Sequence, residues 1–417
     1  MSVTYTGARV LDPASGRDEV VPVTVADDVI TRIGGKPGAS TVDLSGYTLI
    51  PGLVDMRVST GEPGEENRET IASAARAAAK GGITTMVLAP KTQPVIDDQS
   101  LVEFVRRRGE TAPVQVEVAG ALTKRLEGRE LTEIGLMREA GAVMFANGAT
   151  PITDAQLMRR ILSYASTFDL LVANPPVVPS LKAVAHESAF SARLGLSGEP
   201  GAAEAIAVSR DAELARLTGA RLLVDIVSAK EALDVLRRAK GEGVRIFAST
   251  SINHLALNEI DIGDYRTFAK LDPPLRGEDD RLALLEAVAD GTIDVVVSDH
   301  DPQPSGRKRL PFAEAASGAV GLELLLAVAT TLSADGHIAF ADLLPALTSR
   351  PADLLGLPCG RIAEGAPADF AVIDPQAPWV CDSDTLLSTS KNTPFDGRRL
   401  TGRVVKTIRA GQEVYSA

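Results

Sequence analysis

The sequence predicts a (β/α)8 barrel with a small β-sandwich domain formed from both ends of the chain. Three observations carry this expectation. Eight short apolar runs cross the middle of the chain: TLIPGLVDMRVS, TTMVLAP, VQVEVAGAL, AVMFAN, LLVANP, RLLVDIVS, VRIFAST and DVVVSDH. Ala- and Leu-rich helical stretches separate them, among them ETIASAARAAAKGG, QLMRRILSYASTF, AKEALDVLRRAKGEG and DDRLALLEAVADG. Buried strands that alternate with helices in this way close into a parallel barrel. The two ends read differently, as short strands divided by turns. VTYTGARVLDP and VVPVTVADDVITRIGG alternate apolar and polar residues, and DFAVIDP, GRVVKTIRAG and QEVYSA do so at the other end. The expected division is 1–50 and 359–417 for the sandwich and 51–358 for the barrel. A doubly wound open sheet is the alternative fold. It would be favoured by a Gly-rich dinucleotide fingerprint after the first strand, and none is there.

Bulk properties narrow the function. The chain has 417 residues, 45% of them hydrophobic, which is enough for one large domain and a smaller one. Its net charge of −12 argues against a nucleic acid or an anionic membrane as the main partner. Cys359 and Cys381 alone make no disulfide framework, and a reducing, cytoplasmic setting fits them. The opening MSVTYTGARVLDP lacks a basic segment followed by an apolar run, so no signal peptide is expected. No stretch reaches the ~20 uninterrupted apolar residues of a membrane span.

In a barrel of this kind chemistry sits at the C-terminal strand ends. The residues to inspect there are Arg57, Ser59, Pro90, Lys91, Asn147, Pro175, Ile226 and Asp299.

Several runs carry a family resemblance. PGLVDMRVSTGEPG resembles the amidohydrolase opening PGLVDMHVHLREPG, and AAKGGITTMVLAPKTQP resembles the AAxGGxTTxxxMPNTxP run that follows it. ALTKRLEGRELTEIGLMREAGAVMFANG, NHLALNE, KLDPPLRGEDDRLALLEAVADGTIDVVVSDHDP and RIAEGAPADFAVIDP continue the likeness in order from about Pro51 to Pro375. The KLDPPLR run followed by GTIDVVVSDH points to the dihydroorotase family rather than to hydantoinases or allantoinases. The resemblance implies a cyclic amide opened or closed by a metal-bound hydroxide, since a metal lowers the pKa of bound water and polarises the carbonyl.

The positions that the resemblance assigns to metal ligands hold other residues here. The paired His after the first strand are Arg57 and Ser59. The fourth-strand carboxylate or carbamylated lysine falls on Asn147 and Gly148. The fifth-strand His falls among Asn174, Pro175 and Pro176, and the sixth-strand His on Leu223 or Ile226. The eighth-strand acid alone remains, as Asp299. Zinc usually takes three or four protein ligands, and a guanidinium cannot be one. The positions implied for binding the substrate carboxylate are Gly61, Lys91 and Gln303. The expectation is therefore no metal, no cofactor and a chain that is not a working enzyme. A relic acid, Asp299, is expected to be ionised and paired with Arg57, with Lys91 as second candidate.

Four histidines are too few and too scattered to rebuild a metal site. His300 follows Asp299 and faces the other side of its strand. His254, in INHLALNE, is expected to be structural. His186, in AVAHESAF, is expected on a surface helix, and His337, in ADGHIAF, in a turn. Ser59 has no nearby His base, so no Ser-His-Asp triad is indicated. Cys359 reads as core packing, and FVRRRGE as a solvated helix face.

Two functions follow. The resemblance implies a dihydroorotase-like subunit of pyrimidine biosynthesis that supports assembly of an aspartate transcarbamoylase catalytic chain, as a hetero-oligomer or homodimer. The alternative is an active cyclic amidohydrolase with an unorthodox, single-metal or metal-free site.

Overall fold

The computed structural model describes residues 2–417. Eight parallel strands form one sheet in sequential order: β1 (Leu53–Val58), β2 (Ile83–Leu88), β3 (Gln115–Ala121), β4 (Ala142–Ala146), β5 (Leu171–Asn174), β6 (Arg221–Val224), β7 (Ile246–Ser251) and β8 (Val295–Val297). Helices Ile71–Lys80, Gln99–Gly109, Ala155–Ser166, Ala202–Thr218, Lys230–Gly241 and Glu278–Ala289 return the chain between strands. The sheet curls until β1 meets the end of β8. That seam is thin. It consists of a parallel bridge between Val58 and His300, in which Ser59 N donates to the His300 carbonyl at 2.8 Å. Asp55 reinforces it from inside, because its Oδ1 accepts from Ser298 N at 3.4 Å and from Arg57 N at 3.3 Å.

Small and medium side chains fill the barrel. Val54, Met56, Val87, Ala119, Met144, Leu171, Leu223, Val295 and Val297 form one buried cluster, while a larger one packs between strands and helices. Alternation along β1 sends Val54 and Met56 inward. The pairing of β1 with β2 then shifts register between Asp55 and Val58. This irregularity lets Arg57 also reach the mouth of the barrel.

The chain ends build two further sheets, one of four strands and one of six, around a core that includes Val10, Val23, Ile30, Leu49, Val372 and Ile408. Tyr5 meets Phe370 edge to face there, with ring centroids 5.1 Å apart. The apolar run TLIPGLVDMRVS is not one strand. Thr48–Pro51 belongs to the six-stranded sheet and Leu53–Val58 to the barrel. Gly52 makes the passage between them, where Gly52 N donates to the Asp369 carbonyl at 3.0 Å. A Cβ on Gly52 would lie 2.1 Å from the buried Thr84 Oγ1, so only glycine fits without a shift.

His186 is corrected from a surface helix to the two-residue strand Ala185–His186, half-buried and 4.0 Å from Asp280. Ser188 caps the short helix that follows, so the helical part of AVAHESAF begins after the histidine. Cys359 and Cys381 are both free and buried. Among the described residues no helix is long and apolar enough to cross a membrane.

The close packing at Gly52 sets a test of the domain junction. Gly52→Ala is expected to destabilise the fold by about 1–3 kcal/mol, the usual cost of overpacking. Urea unfolding measures it, and a variant as stable as the parent would show that Thr84 moves aside freely.

Candidate active site

The barrel mouth holds a cavity of about 280 Å³. Strand ends and loops supply its wall, including Arg57, Ser59, Lys91, Leu223, Asp225, Asp299, Asp301 and Gln303. The first strand brings Arg57, the sixth Asp225 and the eighth Asp299. Arg57 lies between the two acids: its Nε donates to Asp299 Oδ1 at 2.8 Å, and its Nη1 donates to Asp225 Oδ2. All three side chains are largely buried. The pair expected from the sequence is therefore present, with a second acid that the sequence reading missed.

Burial pushes the Asp299 carboxyl up to about 7. Arg57 pulls against that rise, while the neighbouring Asp301 and Asp225 add to it. Asp299 is thus divided between acid and carboxylate near neutral pH, where full ionisation was expected. Arg57 itself keeps its proton, because the two acids outweigh the effect of burial. Asp55, behind Arg57, is pushed up to about 6 by burial. The backbone on either side of Arg57 is unusual. Asp299 has φ 52° and Ile226, next to Asp225, has φ 64°. A β-branched residue in this left-handed region is strained, at a cost of roughly 1–3 kcal/mol. Ile226 is held there by its N–H, which donates to Ser249 Oγ at 2.9 Å, while Ser249 Oγ donates to Asp225 Oδ1 at 3.3 Å.

A second charged group occupies the other side of the mouth. Asp301 Oδ1 accepts from Arg68 Nη2 at 2.8 Å and from Gln303 Nε2 at 3.1 Å, and its Oδ2 accepts from Lys91 Nζ at 3.1 Å. Burial would raise this carboxyl, but Lys91 and Arg68 outweigh it and hold it below the usual carboxylate range. Lys91 therefore serves Asp301, not Asp299. Arg68 is 4% exposed and also reaches Glu65 Oε2 at 2.8 Å and the Pro302 carbonyl at 3.1 Å.

The remaining predicted positions divide in two. Pro175 and Ile226 line a small recess beside Arg57 and Asp225. Asn147 and Gly61 do structural work. Asn147 Oδ1 accepts from Thr123 N and Oγ1, and its Nδ2 donates to the carbonyls of Leu126 and Thr150. Gly61 N donates to the Glu69 carbonyl, and a Cβ there would strike the Glu65 backbone. His300 is buried with Nδ1 accepting from Gly321 N at 3.2 Å, and burial pushes its pKa down to about 3. His254 faces the Pro273 carbonyl at 3.1 Å, and burial lowers its pKa to about 4. Neither approaches Asp299 in any bond. Asp225, Arg68 and Asp301 were missed by sequence reading. A lone acid inside the apolar RLLVDIVS, and a second acid in SDHDP, were the available signals.

These residues do not fit a divalent metal. The described chain contains no group of three or more His, Cys, Asp or Glu side chains that could hold one. Asp225 and Asp299 are both paired with the Arg57 guanidinium, which bridges them.

Comparison with known proteins places the chain. The family described as Dihydro-orotase-like matches residues 46–232, and the Amidohydrolase family matches 283–415. A protein named dihydroorotase from Syntrophotalea carbinolica is 38% identical over 421 residues, covering 100% of this chain and 99% of its own. One of the same name from Anaeromyxobacter dehalogenans is 40% identical, covering 98% of this chain and 96% of its own. Among solved structures, L-hydantoinase from Arthrobacter aurescens superposes with a TM-score of 0.87 at 24% identity, over 99% of this chain and 96% of its own. Dihydropyrimidinase from Brevibacillus agri does so at 0.86 and 21% identity, over 100% and 95%. These two likenesses concern the fold. The relatives that match along the whole chain are named as an enzyme, and this overturns the expectation of a chain that does not work as one. Counting metal ligands bears only on whether a metal is held. It did not address what a guanidinium and a near-neutral carboxyl do in a closed mouth.

Removing Arg57 alone leaves two buried acids facing each other. Arg57→Met is expected to cost roughly 3–5 kcal/mol in urea unfolding, the range for a broken buried pair. Replacing Asp225 and Asp299 by Leu in the same chain should recover much of the loss. An Arg57→Met protein as stable as the parent would mean that the two acids are neutralised without the guanidinium.

Proposed function

Since the chain belongs to the dihydroorotase family, we propose that it is a cyclic amidohydrolase of pyrimidine biosynthesis that uses its own Arg57 and Asp299 where the family resemblance implies a metal. The observation that carries this reading is the Arg57–Asp299 contact at 2.8 Å in the barrel mouth, with a carboxyl held near 7. A group with a pKa near the working pH is the most effective proton carrier. In the opening direction ionised Asp299 takes a proton from water as the water oxygen bonds to the ring carbonyl carbon. Arg57 faces the negative charge that develops on the carbonyl oxygen. The ring C–N bond then breaks and its nitrogen takes the proton back from Asp299. Closure runs through the same steps reversed. Asp225 acts on Arg57, keeping the guanidinium aimed across the mouth. Two free, buried thiols support a cytoplasmic setting.

Interconversion of dihydroorotate and carbamoyl aspartate tests this reading, followed optically with and without a chelator. Turnover is expected to survive chelation and to be lost in Asp299→Asn. The opening rate should rise with pH through about 7, because only the carboxylate form of Asp299 is a base. No interconversion in either direction at millimolar substrate would defeat it.

A partner belongs to the same reading. The resemblance supports association with an aspartate transcarbamoylase catalytic chain. The charged mouth, held together by the chain's own pairs, supports a barrel that stays folded within such an assembly. A lasting complex would bury upward of ~1,200 Å². The two proteins of one organism are expected to co-elute at micromolar concentration, and separate elution would count against the association.

A further inference from the structure

A strap of chain closes one side of the barrel mouth. Residues 302–318 follow the eighth strand, and Arg307, Ala316, Ser317 and Gly318 among them line the cavity. Between Pro304 and Ser317 only Lys308, Phe312 and Ala315 are buried, so three side chains pin an otherwise exposed stretch. One of the three pins is a lysine, 2% exposed. Lys308 Nζ donates to the Thr267 carbonyl at 3.1 Å and to the Lys270 carbonyl at 3.3 Å, both in the segment after the seventh strand. Thr267 Oγ1 donates back to the Lys308 carbonyl at 2.6 Å. Lys270 reaches the other way. Its Nζ donates to the Ala313 carbonyl at 2.8 Å and lies 5.8 Å from the centre of the Phe312 ring. Gly318 N then donates to the Lys270 carbonyl at 3.0 Å.

This clasp suits an amine better than an ammonium. Two carbonyls take the two N–H groups of a neutral Lys308, and the third N–H of the charged form meets no further acceptor among the described residues. A buried donor without a partner is costly, more so on a charged group. The surrounding charges do not repair this. Lys270 opposes a second cation beside it, while Asp301 favours one but is already held by Lys91 and Arg68. Asp272 is paired with Lys182 at 2.7 Å, Arg307 turns to Glu65 at 3.0 Å, and Arg266 Nη2 donates to the Asp396 carbonyl at 3.4 Å. Arg309 and Glu314 are exposed. Burial decides the outcome and pushes Lys308 down to about 7. We propose that residues 302–318 are a proton-linked strap over the mouth, closed while Lys308 is a neutral amine and loosened when Lys308 takes up a proton. The strap governs access to the cavity, so it stands apart from the amidohydrolase reading above. Lifting it puts Lys308 in water, where a lysine titrates near ~10.4. The closed strap therefore binds fewer protons than the open one. Closure is weakest, and insensitive to pH, below about 7, and it strengthens as pH rises from there toward ~10.

Hydrogen exchange of the full chain, with no substrate present, tests the strap. The amides to follow are Ala316 and Gly318, which donate to the carbonyls of Arg307 and Lys270, with helix Gln99–Gly109 as the reference. After correction for intrinsic exchange, their protection is expected to rise about tenfold between pH about 6 and about 8, the linkage of one lysine moving between about 7 and ~10.4. In Lys308→Met the rise should disappear. That variant also separates Lys308 from Asp299, whose carboxyl is likewise near 7. If it does not fold, NMR of the parent chain with isotope-labelled lysines decides, and one lysine Cε resonance is expected to titrate near 7. Protection that stays constant across this range, an equal rise in Lys308→Met, or no lysine titrating below ~9 would each overturn the proposal. Because no turnover is read, a chain without catalytic activity leaves this test unchanged.

Discussion

Arg57 holds two acids from strands that only one other strand separates, Asp225 just after the sixth strand and Asp299 after the eighth. Each buried carboxylate would cost several kcal/mol on its own. Opposite unit charges ~4 Å apart return about 4 kcal/mol at an effective dielectric constant of 20. One guanidinium therefore comes close to offsetting one acid and cannot offset two. The balance appears in the titration of Asp299, which burial raises and which Asp225 and Asp301 raise further. With one guanidinium between two acids, the Asp299 carboxyl is pushed up to about 7. The same charge balance thus serves both the fold and the proposed proton transfer at Asp299.

The barrel seam depends on the same residues. β8 has only three residues in its ladder, and its end meets β1 through a single bridge. Asp55 ties Ser298 N to Arg57 N beneath the bridge, and Arg57 ties Asp299 above it. On the far side Lys91 and Arg68 hold Asp301, which joins the second strand end to the loop after the eighth. Strained backbone at Ile226 and Asp299 is tolerated because these bonds surround it. Fold closure and site geometry are in this sense one arrangement.

The architecture was legible because the periodicity of buried strands and amphipathic helices is a long-range pattern, repeated eight times. Arg57 and Asp299 were legible as a pair because both fall at strand ends that neighbour each other in a closed barrel. Asp225 was not, because Leu223 and Ile226 drew the reading while the acid sat inside an apolar run whose facing is set by the positive φ of Ile226. Lys91 was assigned the wrong acid, since its partner Asp301 lies four residues past the strand end and only the loop path decides its direction. The break at Gly52 was hidden for another reason: two strands of different sheets share one uninterrupted apolar run. The expectation that the chain is not an enzyme is overturned by full-length relatives named dihydroorotase, because it counted the lost ligands and did not weigh the charges that replace them.

The protein's own guanidinium stands where the family resemblance places a metal. Elemental analysis of chain purified from zinc-supplemented medium tests it most directly. Far less than one equivalent of any transition metal per chain is expected after dialysis, with the unfolding midpoint unchanged by a chelator. A full equivalent of zinc that survives dialysis, and whose removal lowers the midpoint, would contradict it.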